Sequence, residues 1–212
     1  MHILAHRGNW RSKKERNSFP AIRRAAKMGF GVETDVRDSG GKLVIAHDPA
    51  SRRNPGAEKV FELFARNIKD QTLAINVKAD GLQGLIQSLA RRYRVRHYFV
   101  FDANIPELVV YRDRKIPFFT RQSEFEPRPV LWEHAAGVWL DSFKTDWFTA
   151  RTIEEHLKSG KDVCVVSPEL HGRGHERLWR LLKNPALRRH QQQLFLCTDF
   201  PDKADDFFNG EE

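Results

Sequence analysis

The sequence predicts an α/β fold and, within that class, a small (β/α)8 barrel of the TIM type that forms a single domain over residues 1–212. Eight short apolar runs rich in β-branched and aromatic residues recur along the chain, which is typical of strands buried on both faces. Segments with apolar residues at three- and four-residue spacing fill most of the gaps between them. This alternation indicates parallel β/α units, and their number fits a closed barrel. Because 212 residues is short for such a barrel, an open doubly wound sheet is the alternative.

The predicted strands are bounded by Gly, Pro, Asp or Ser, as strands usually are. In chain order they are HILAH (2–6), GVETDV (31–36), LAINV (73–77), YFVF (98–101), PFFT (117–120), GVWL (137–140), DVCVV (162–166) and LFLCT (194–198). The stretch DSGGKLVIAHD (38–48) adds a turn at Gly40 and Gly41 and a short extended run. We expect this run to fold back as a hairpin that ends at His47 and Asp48.

The first predicted helix, SFPAIRRAAKMG, has Ser18 as N-cap, Pro20 near its first turn and Gly29 as its stop signal. Five further helices follow from the apolar spacing. They are AEKVFELFARN (57–67), GLQGLIQSLARRY (81–93), IPELVVYRDRK (105–115), RTIEEHLKSG (151–160) and ERLWRLLKN (176–184). Two prolines in EPRPVLWEHAAG restrict any helix there to VLWEHA (130–135).

The chain is basic, with a formal net charge of +8, which permits phosphorylated, nucleic-acid or anionic-membrane partners and selects none of them. No apolar run approaches the ~18 residues that span a bilayer, and MHILAHRG lacks the pattern of a signal peptide. We therefore expect a cytoplasmic protein. Cys164 and Cys197 lie inside apolar runs and are expected to be buried, reduced thiols.

Polar residues collect where the predicted strands end, and in such folds function lies at the C-terminal ends of the strands. The early ones are His6, Arg7, Glu33, Asp35, His47, Asn76 and Lys78, and later strands end at Asp102, Arg121, Asp141, Glu169 and Asp199. Glu33 and Asp35 are two residues apart, so on a strand they point the same way. A divalent cation such as Mg²⁺ or Ca²⁺ would offset their repulsion, with Asn76 as a neutral oxygen ligand. The competing interpretation pairs the two carboxylates with arginines in a structural network.

His6 and His47 are suited to acid and base roles across one site, because the ordinary pKa of histidine lies near neutrality. Arg7 and Lys78 can neutralise a phosphoryl group, although each can equally form a salt bridge with a nearby carboxylate. Trp10 is a candidate wall of the pocket. Together these residues indicate metal-assisted phosphodiester cleavage of a small anionic substrate.

The order of the motifs resembles the glycerophosphodiester phosphodiesterase family, part of a superfamily of (β/α)8-barrel phosphodiesterases that includes phosphatidylinositol-specific phospholipases C. The motifs are HRG (6–8), Asn17-Ser18 before a helix, G-x-E-x-D-V (31–36) and HDP (47–49) after a glycine turn, with NVK (76–78) and TDFP (198–201) as weaker matches. The resemblance implies that His6 and His47 are the catalytic pair and that Arg7 binds phosphate. It also implies Glu33 and Asp35 as metal ligands, Lys78 as a site cation and Asn17 as the organiser of the loop after HRG.

The sequence departs from the family pattern at four places. Asn76 stands where the family usually has a metal-binding glutamate, and Arg16 occupies the position of another glutamate. The usual insertion after HDP is missing, which leaves a more open mouth. Glu169 and His171 follow an unfamiliar strand end, where they are candidates to shape substrate choice or to compensate for Asn76.

Two further patterns carry less weight. His171 and His175 in HGRGH have ligand-like spacing, but without further ligands a zinc site is disfavoured. A loop that contacts the substrate is preferred to zinc, and a solvated loop is preferred to both. The cations of WRSKKER (10–16) and ARRYRVRH (90–97) suggest nucleic acid only as a third hypothesis, since no known motif accompanies them. The second hypothesis is a barrel that binds a phosphorylated ligand without cleaving it.

Overall fold

The computed structural model describes residues 1–66 and 71–210, and this part of the chain folds into alternating strands and helices. Its strands are β1 His2–His6, β2 Gly31–Ser39, β3 Lys42–Ile45, β4 Leu73–Val77, β5 Tyr98–Phe101, β6 Phe119–Gln122, β7 Gly137–Leu140, β8 Asp162–Val166 and β9 Leu194–Thr198. All the predicted strands and the predicted hairpin strand are present. The run around PFFT forms its strand two residues later than predicted, because Pro117 offers no N–H to a ladder.

The strands form one sheet in the order β5-β4-β2-β1-β9-β8-β7-β6, and β3 pairs antiparallel with the C-terminal half of β2, residues 36–39. The eight strands of this order are parallel wherever they pair. Between the end strands β5 and β6, the backbone contacts of the described residues reduce to one bridge, Val100 with Phe118, and a 2.9 Å hydrogen bond from the Val100 N–H to the Pro117 carbonyl. The sheet is therefore a nearly closed eight-stranded barrel, as predicted, and not an open doubly wound sheet.

Helices surround the barrel. They are α1 Phe19–Met28, α2 Glu58–Ala65, α3 Gln83–Tyr93, α4 Ile105–Asp113, α5 Ala150–Lys158, α6 Glu176–Leu182, α7 Pro185–Arg188 and α8 Pro201–Asn209. The Ser18 side chain caps α1 by accepting from the Ala21 N–H, and Gly29 ends it in the left-handed region at φ 95°, as predicted. The prediction for VLWEHA was too long, since only a 3₁₀ turn at Trp132–His134 forms. Helices α7 and α8 were not predicted from the sequence, and residue 67, the predicted end of α2, lies outside the described residues.

The barrel interior is filled by its own cluster of side chains, separate from the core between the sheet and the helices. Two stacked aromatic pairs, Phe99 with Phe119 and Phe101 with Trp139, each have ring centroids 3.7 Å apart. Cys164 and Cys197 lie in this cluster as buried free thiols, as predicted, and burial raises the pKa of both. This packing fills the barrel below its C-terminal mouth, so the mouth has a solid floor.

No helix in residues 1–66 and 71–210 combines the length and the apolar character that crossing a bilayer requires.

Candidate active site

A cavity of about 290 Å³ opens at the C-terminal ends of the barrel strands. Six predicted site residues from four different segments line it: His6, Arg7, Glu33, His47, Asn76 and Lys78. The opposite wall comes from later strands and their loops, and includes Phe101, Asp102, Arg121, Trp139, Asp141, Phe143 and His171. The barrel thus brings together groups that lie far apart in the sequence.

The turn after β1 positions His6 and Arg7 at the cavity. Arg7 and Gly8 adopt left-handed backbone conformations with φ of 58° and 84°. The Arg7 N–H donates to the backbone carbonyl of Glu33 at 2.9 Å and to its Oε2 at 3.1 Å. A Cβ atom at Gly8 would lie 2.6 Å from the backbone nitrogen of Ile22 in α1. Only glycine therefore lets α1 pack against the turn that carries His6 and Arg7.

Asn17 ties the loop after this turn to β2. Its Nδ2 donates to Asp35 Oδ2 at 2.7 Å, and its Oδ1 accepts from Thr34 Oγ1 at 2.9 Å. Like Arg7, Asn17 has a left-handed backbone, at φ 61°, which asparagine tolerates better than most residues. These contacts agree with the organising role that the resemblance implies for this residue.

Glu33, Asp35 and Asn76 form the buried floor of the site. Glu33 and Asn76 line the cavity, whereas Asp35 is fully buried and is not among the lining residues. Asp35 on β2 and Asn76 on β4 are register partners. Glu33 and Asp35 are essentially inaccessible to solvent, at 1% and 0% exposure. Asp35 Oδ2 lies 3.0 Å from Arg7 Nε, and its Oδ1 lies 3.7 Å from Lys78 Nζ. Burial, and after it the neighbouring charge of Asp35, raises the pKa of Glu33 to about 7. The floor therefore favours a further positive charge.

Each floor residue also keeps one buried oxygen without a hydrogen-bond donor among the described residues: Glu33 Oε1, Asp35 Oδ1 and Asn76 Oδ1. Unsatisfied buried oxygens are costly, and two carboxylates with an amide form the all-oxygen donor set that Mg²⁺ and Ca²⁺ prefer. Within residues 1–66 and 71–210, no group of three or more His, Cys, Asp or Glu side chains is placed to hold a metal ion. A cation here would therefore depend on the amide of Asn76 as its third protein ligand, and the residues present fit that role.

His6 is held by Asp199, a carboxylate that the sequence placed at a strand end but not among the predicted site residues. His6 Nδ1 lies 2.6 Å from Asp199 Oδ1, and Arg16 Nη2 lies 2.8 Å from Asp199 Oδ2. Because an ionised carboxylate only accepts hydrogen bonds, Nδ1 carries the proton and Nε2 is left as the proton acceptor of the neutral ring. A signal for this contact existed, since Asp199 follows the last strand, which pairs with the first when a barrel closes.

His47 lies on the more open side of the cavity, just after β3, and its side chain is about half exposed. Its Nδ1 is 2.9 Å from Asp48 Oδ1, and its backbone carbonyl accepts from Arg37 Nε at 3.0 Å. The chain runs from this hairpin into α2 within a dozen residues, without the insertion that the family usually carries. Each histidine thus has its own carboxylate partner at Nδ1, Asp199 for His6 and Asp48 for His47, but His47 is the more exposed of the two.

Trp10 and Glu169, the other two predicted substrate-binding residues, are not among the residues that line the cavity. The Trp10 indole N–H donates to the His6 carbonyl at 3.1 Å, and the Arg16 guanidinium lies 4.5 Å from the centroid of its ring. Glu169 Oε1 accepts from the Asp199 N–H at 3.1 Å and also from the Thr198 hydroxyl. Both residues support the Asp199 region, and their contact with substrate stays a prediction.

The opposite wall contains His171, which the sequence analysis named as a candidate to shape substrate choice. The preferred interpretation of HGRGH, a solvated loop, was wrong for His171, which lines the cavity. A 3₁₀ turn at Pro168–His171 follows β8 directly, and Asp141 at the end of β7 lies 2.7 Å from His171 Nε2. This hydrogen bond raises the pKa of His171.

The fold and the site together define a (β/α)8 barrel that gathers carboxylates, histidines and cations at its C-terminal mouth. No protein-family model matches the chain, and no curated protein sequence matches it.

Several solved structures share its fold, including three phosphodiesterases. A glycerophosphodiester phosphodiesterase from Agrobacterium tumefaciens is 16% identical with a TM-score of 0.67, covering 95% of this chain and 97% of its own. A glycerophosphoryl diester phosphodiesterase from Parabacteroides distasonis is 12% identical with a TM-score of 0.69, covering 98% and 86%. A glycerophosphodiester phosphodiesterase from Thermotoga maritima is 16% identical with a TM-score of 0.61, covering 96% of each chain. The barrel that the sequence resemblance implied is therefore confirmed.

Proposed function

We propose that this protein is a divalent-metal-dependent phosphoric diester hydrolase that acts on small glycerophosphodiester-type substrates. The observation that carries the proposal is the convergence of His6, His47, Arg7 and Lys78 on one cavity above the carboxylate floor. The structural likeness to three phosphodiesterases supports it. The predicted cytoplasmic location is part of the proposal.

The chain's own residues can divide the reaction between them. Arg7 and Lys78 bind the non-bridging oxygens of the phosphodiester and offset their charge. One histidine takes a proton from the attacking water as the new P–O bond forms, and the other gives a proton to the leaving alcohol oxygen as the old P–O bond breaks. The products are an alcohol and a phosphomonoester. Asp199 acts as a positioning residue that keeps Nε2 of His6 available.

Glu33, Asp35 and Asn76 would hold the metal ion through their three oxygens that lack a hydrogen-bond donor among the described residues. When bound, a divalent cation supplies positive charge to the phosphoryl oxygens in the transition state. Because Asn76 brings no charge, we expect weaker metal binding than a glutamate would give at this position.

The test is hydrolysis of glycerophosphodiesters and of bis(p-nitrophenyl) phosphate by the purified protein with Mg²⁺, Ca²⁺ or Mn²⁺. We expect turnover that EDTA abolishes, and a loss of about 10²- to 10⁴-fold in kcat for His6→Ala and His47→Ala. Asp199→Asn should lower kcat with little change in KM, because it disturbs the His6 tautomer without touching substrate. His134→Ala, at an exposed histidine outside the cavity, is the control. Absence of turnover with every metal would contradict the proposal.

The same experiment assigns the two proton-transfer roles. A p-nitrophenolate leaving group needs little protonation, whereas glycerol or another alkyl alcohol does. The histidine whose loss is largely tolerated with the p-nitrophenyl ester is therefore the acid, and the histidine whose loss is equally severe with both substrates is the base.

Asn76 also favours a second candidate, a barrel that binds a phosphorylated ligand without cleaving it. This candidate predicts that methyl phosphate binds without metal, that no substrate turns over, and that His47→Ala leaves binding unchanged. Calorimetric titration with and without Mg²⁺ separates it from the enzyme. The variant Asn76→Glu adds a second comparison. If the protein is a metal-dependent enzyme, the variant should bind metal more tightly. If it is a metal-free binding protein, the variant should not bind the phosphorylated ligand more tightly.

A further inference from the structure

A second cavity, of about 570 Å³, lies beside the candidate active site where the barrel fails to close. We call it the seam cleft, because it opens between the C-terminal ends of β5 and β6, the two strands without a ladder between them. Its apolar lining comes from the loop after β5, from α4, from β6 and from the loop after β6. These residues are Ala103, Ile105, Pro106, Leu108, Phe119 and Val130.

The seam cleft adjoins the candidate active site. Asp102 and Arg121 line both cavities, and Arg121 pairs with Asp102 on one side and with Glu126 on the other. Asp102 also accepts from Lys78 Nζ at 3.1 Å. Charged contacts thus connect Lys78, the proposed phosphate-binding lysine, through Asp102 to Arg121 at the edge of the seam cleft. The apolar residues of the cleft lie next to this edge.

The lining is unusually exposed for apolar side chains of its size. Ile105 is 55% exposed and Val130 is 39% exposed, and both line the seam cleft together with the buried residue Phe119. Water against such a surface costs free energy that an apolar group would recover. Its exposed groups are branched aliphatic side chains rather than the aromatic faces on which nucleobases stack. A volume of this size is within the range of small-molecule sites.

We infer that the seam cleft binds an aliphatic chain attached to the phosphodiester, so that the preferred substrate is a single-chain amphiphile with its phosphate at Arg7 and Lys78. This inference rests on the proposed function and narrows it. The phosphate anchors one end of the molecule in the polar cavity, and the chain passes the Asp102–Arg121 pair into the cleft.

The test is calorimetric titration of the full chain with methyl, butyl and octyl phosphate in the presence of Mg²⁺, below the micelle concentration of each compound. We expect affinity to rise roughly fourfold for each methylene that becomes buried, which corresponds to about 0.8 kcal/mol. Val130→Glu and Ile105→Glu should remove this gain and leave methyl phosphate binding unchanged. Ile105 begins α4, where a carboxylate is favourable, so that variant should fold. Met28→Glu, at an equally exposed apolar side chain on α1, is the matched control.

The outcomes distinguish a failure of the seam-cleft assignment from a failure of the proposed function. Methyl phosphate that binds with no gain from a longer chain overturns the cleft and leaves the proposed function standing. A gain that Met28→Glu removes as fully as Val130→Glu shows non-specific adsorption and also overturns it. If methyl phosphate fails to bind at all, the phosphate site itself is wrong, and the cleft assignment falls with it.

Discussion

Asp199, Asn17 and Asp141 show how single residues shape this site without carrying out its chemistry. Asp199 holds His6 at 2.6 Å, Asn17 ties the first loop to Asp35 at 2.7 Å, and Asp141 holds His171 at 2.7 Å. Each fixes a side chain that would otherwise sample several rotamers, which is how sites reach a defined geometry. The site therefore depends on polar partners that lie one contact behind the residues facing the substrate.

The Asp141–His171 pair predicts a pH-dependent contribution to stability. Its hydrogen bond raises the pKa of His171 above the unfolded value of about 6.5, against smaller opposing effects of burial and of Arg173. A raised pKa means that the contribution is complete below the unfolded pKa and is lost as pH rises through the folded pKa. His171→Gln should therefore lower the free energy of unfolding by about 1.5 kcal/mol near pH 5.5 and by much less near pH 8.5.

Urea denaturation across this range measures the difference between the wild type and His171→Gln. His134→Gln, at an exposed histidine on the Trp132–His134 turn, is the matched control and should show no such trend. A difference for His171→Gln that stays constant with pH would show that the pair contributes only through packing.

Gly8 lies in the turn that connects the first strand to the first helix. Because α1 begins at Phe19 and packs its buried face toward β1, the turn between them must pass close to the Ala21 and Ile22 backbone. A β-carbon at Gly8 would meet that backbone at 2.6–2.7 Å, and the positive φ adds a second penalty. The position of His6 and Arg7 is therefore set by the packing of two elements.

Gly8→Ala should destabilise the protein by about 2–5 kcal/mol, the sum of a left-handed backbone with a side chain and an overpacked contact. Gly40→Ala is the matched control, since Gly40 also has a positive φ, 58°, but no atom lies within 4 Å of the point that its β-carbon would occupy. It should lose only about 1–2 kcal/mol. Free energies of unfolding in urea check both values, and equal losses would refute the packing argument.

Across the whole molecule, side-chain stacking replaces the hydrogen bonds missing between β5 and β6. Phe99 on β5 stacks on Phe119 on β6, and Phe101 stacks on Trp139 of β7, each at 3.7 Å between centroids. Stacked aromatic pairs add to the free energy of burial. The Phe99–Phe119 pair joins β5 directly to β6, and the Phe101–Trp139 pair joins β5 to β7. The same gap leaves the seam cleft open at the mouth, so barrel closure and the proposed substrate site have one structural cause.

Phe119→Leu should lower the free energy of unfolding by about 1–3 kcal/mol and speed amide exchange in β5 and β6 more than in β1 and β9. Phe61→Leu, the same truncation at a fully buried position of α2, is the matched control. It should destabilise to a similar degree without a selective effect on the seam. Hydrogen–deuterium exchange by mass spectrometry measures the pattern, and uniform acceleration in both variants would contradict this account of closure.

The sequence by itself determined the barrel and the early half of the site. Alternating apolar runs and amphipathic segments predict β/α units, and His6, Arg7, Glu33 and Asn76 could be placed at the mouth because strand ends meet there. Short-range signals such as the Ser18 cap and the Gly29 stop also suffice to delimit α1. All of these features depend on local spacing, which a single chain displays directly.

Only the tertiary structure decided which distant side chains touch. The Asp199–His6 contact joins the last strand to the first, His171 turns inward because Asp141 on a neighbouring strand holds it, and the seam cleft exists because β5 and β6 do not pair. These contacts form only when the barrel closes. Closure depends on the geometry of all the strands together, so no short stretch of the sequence predicts it.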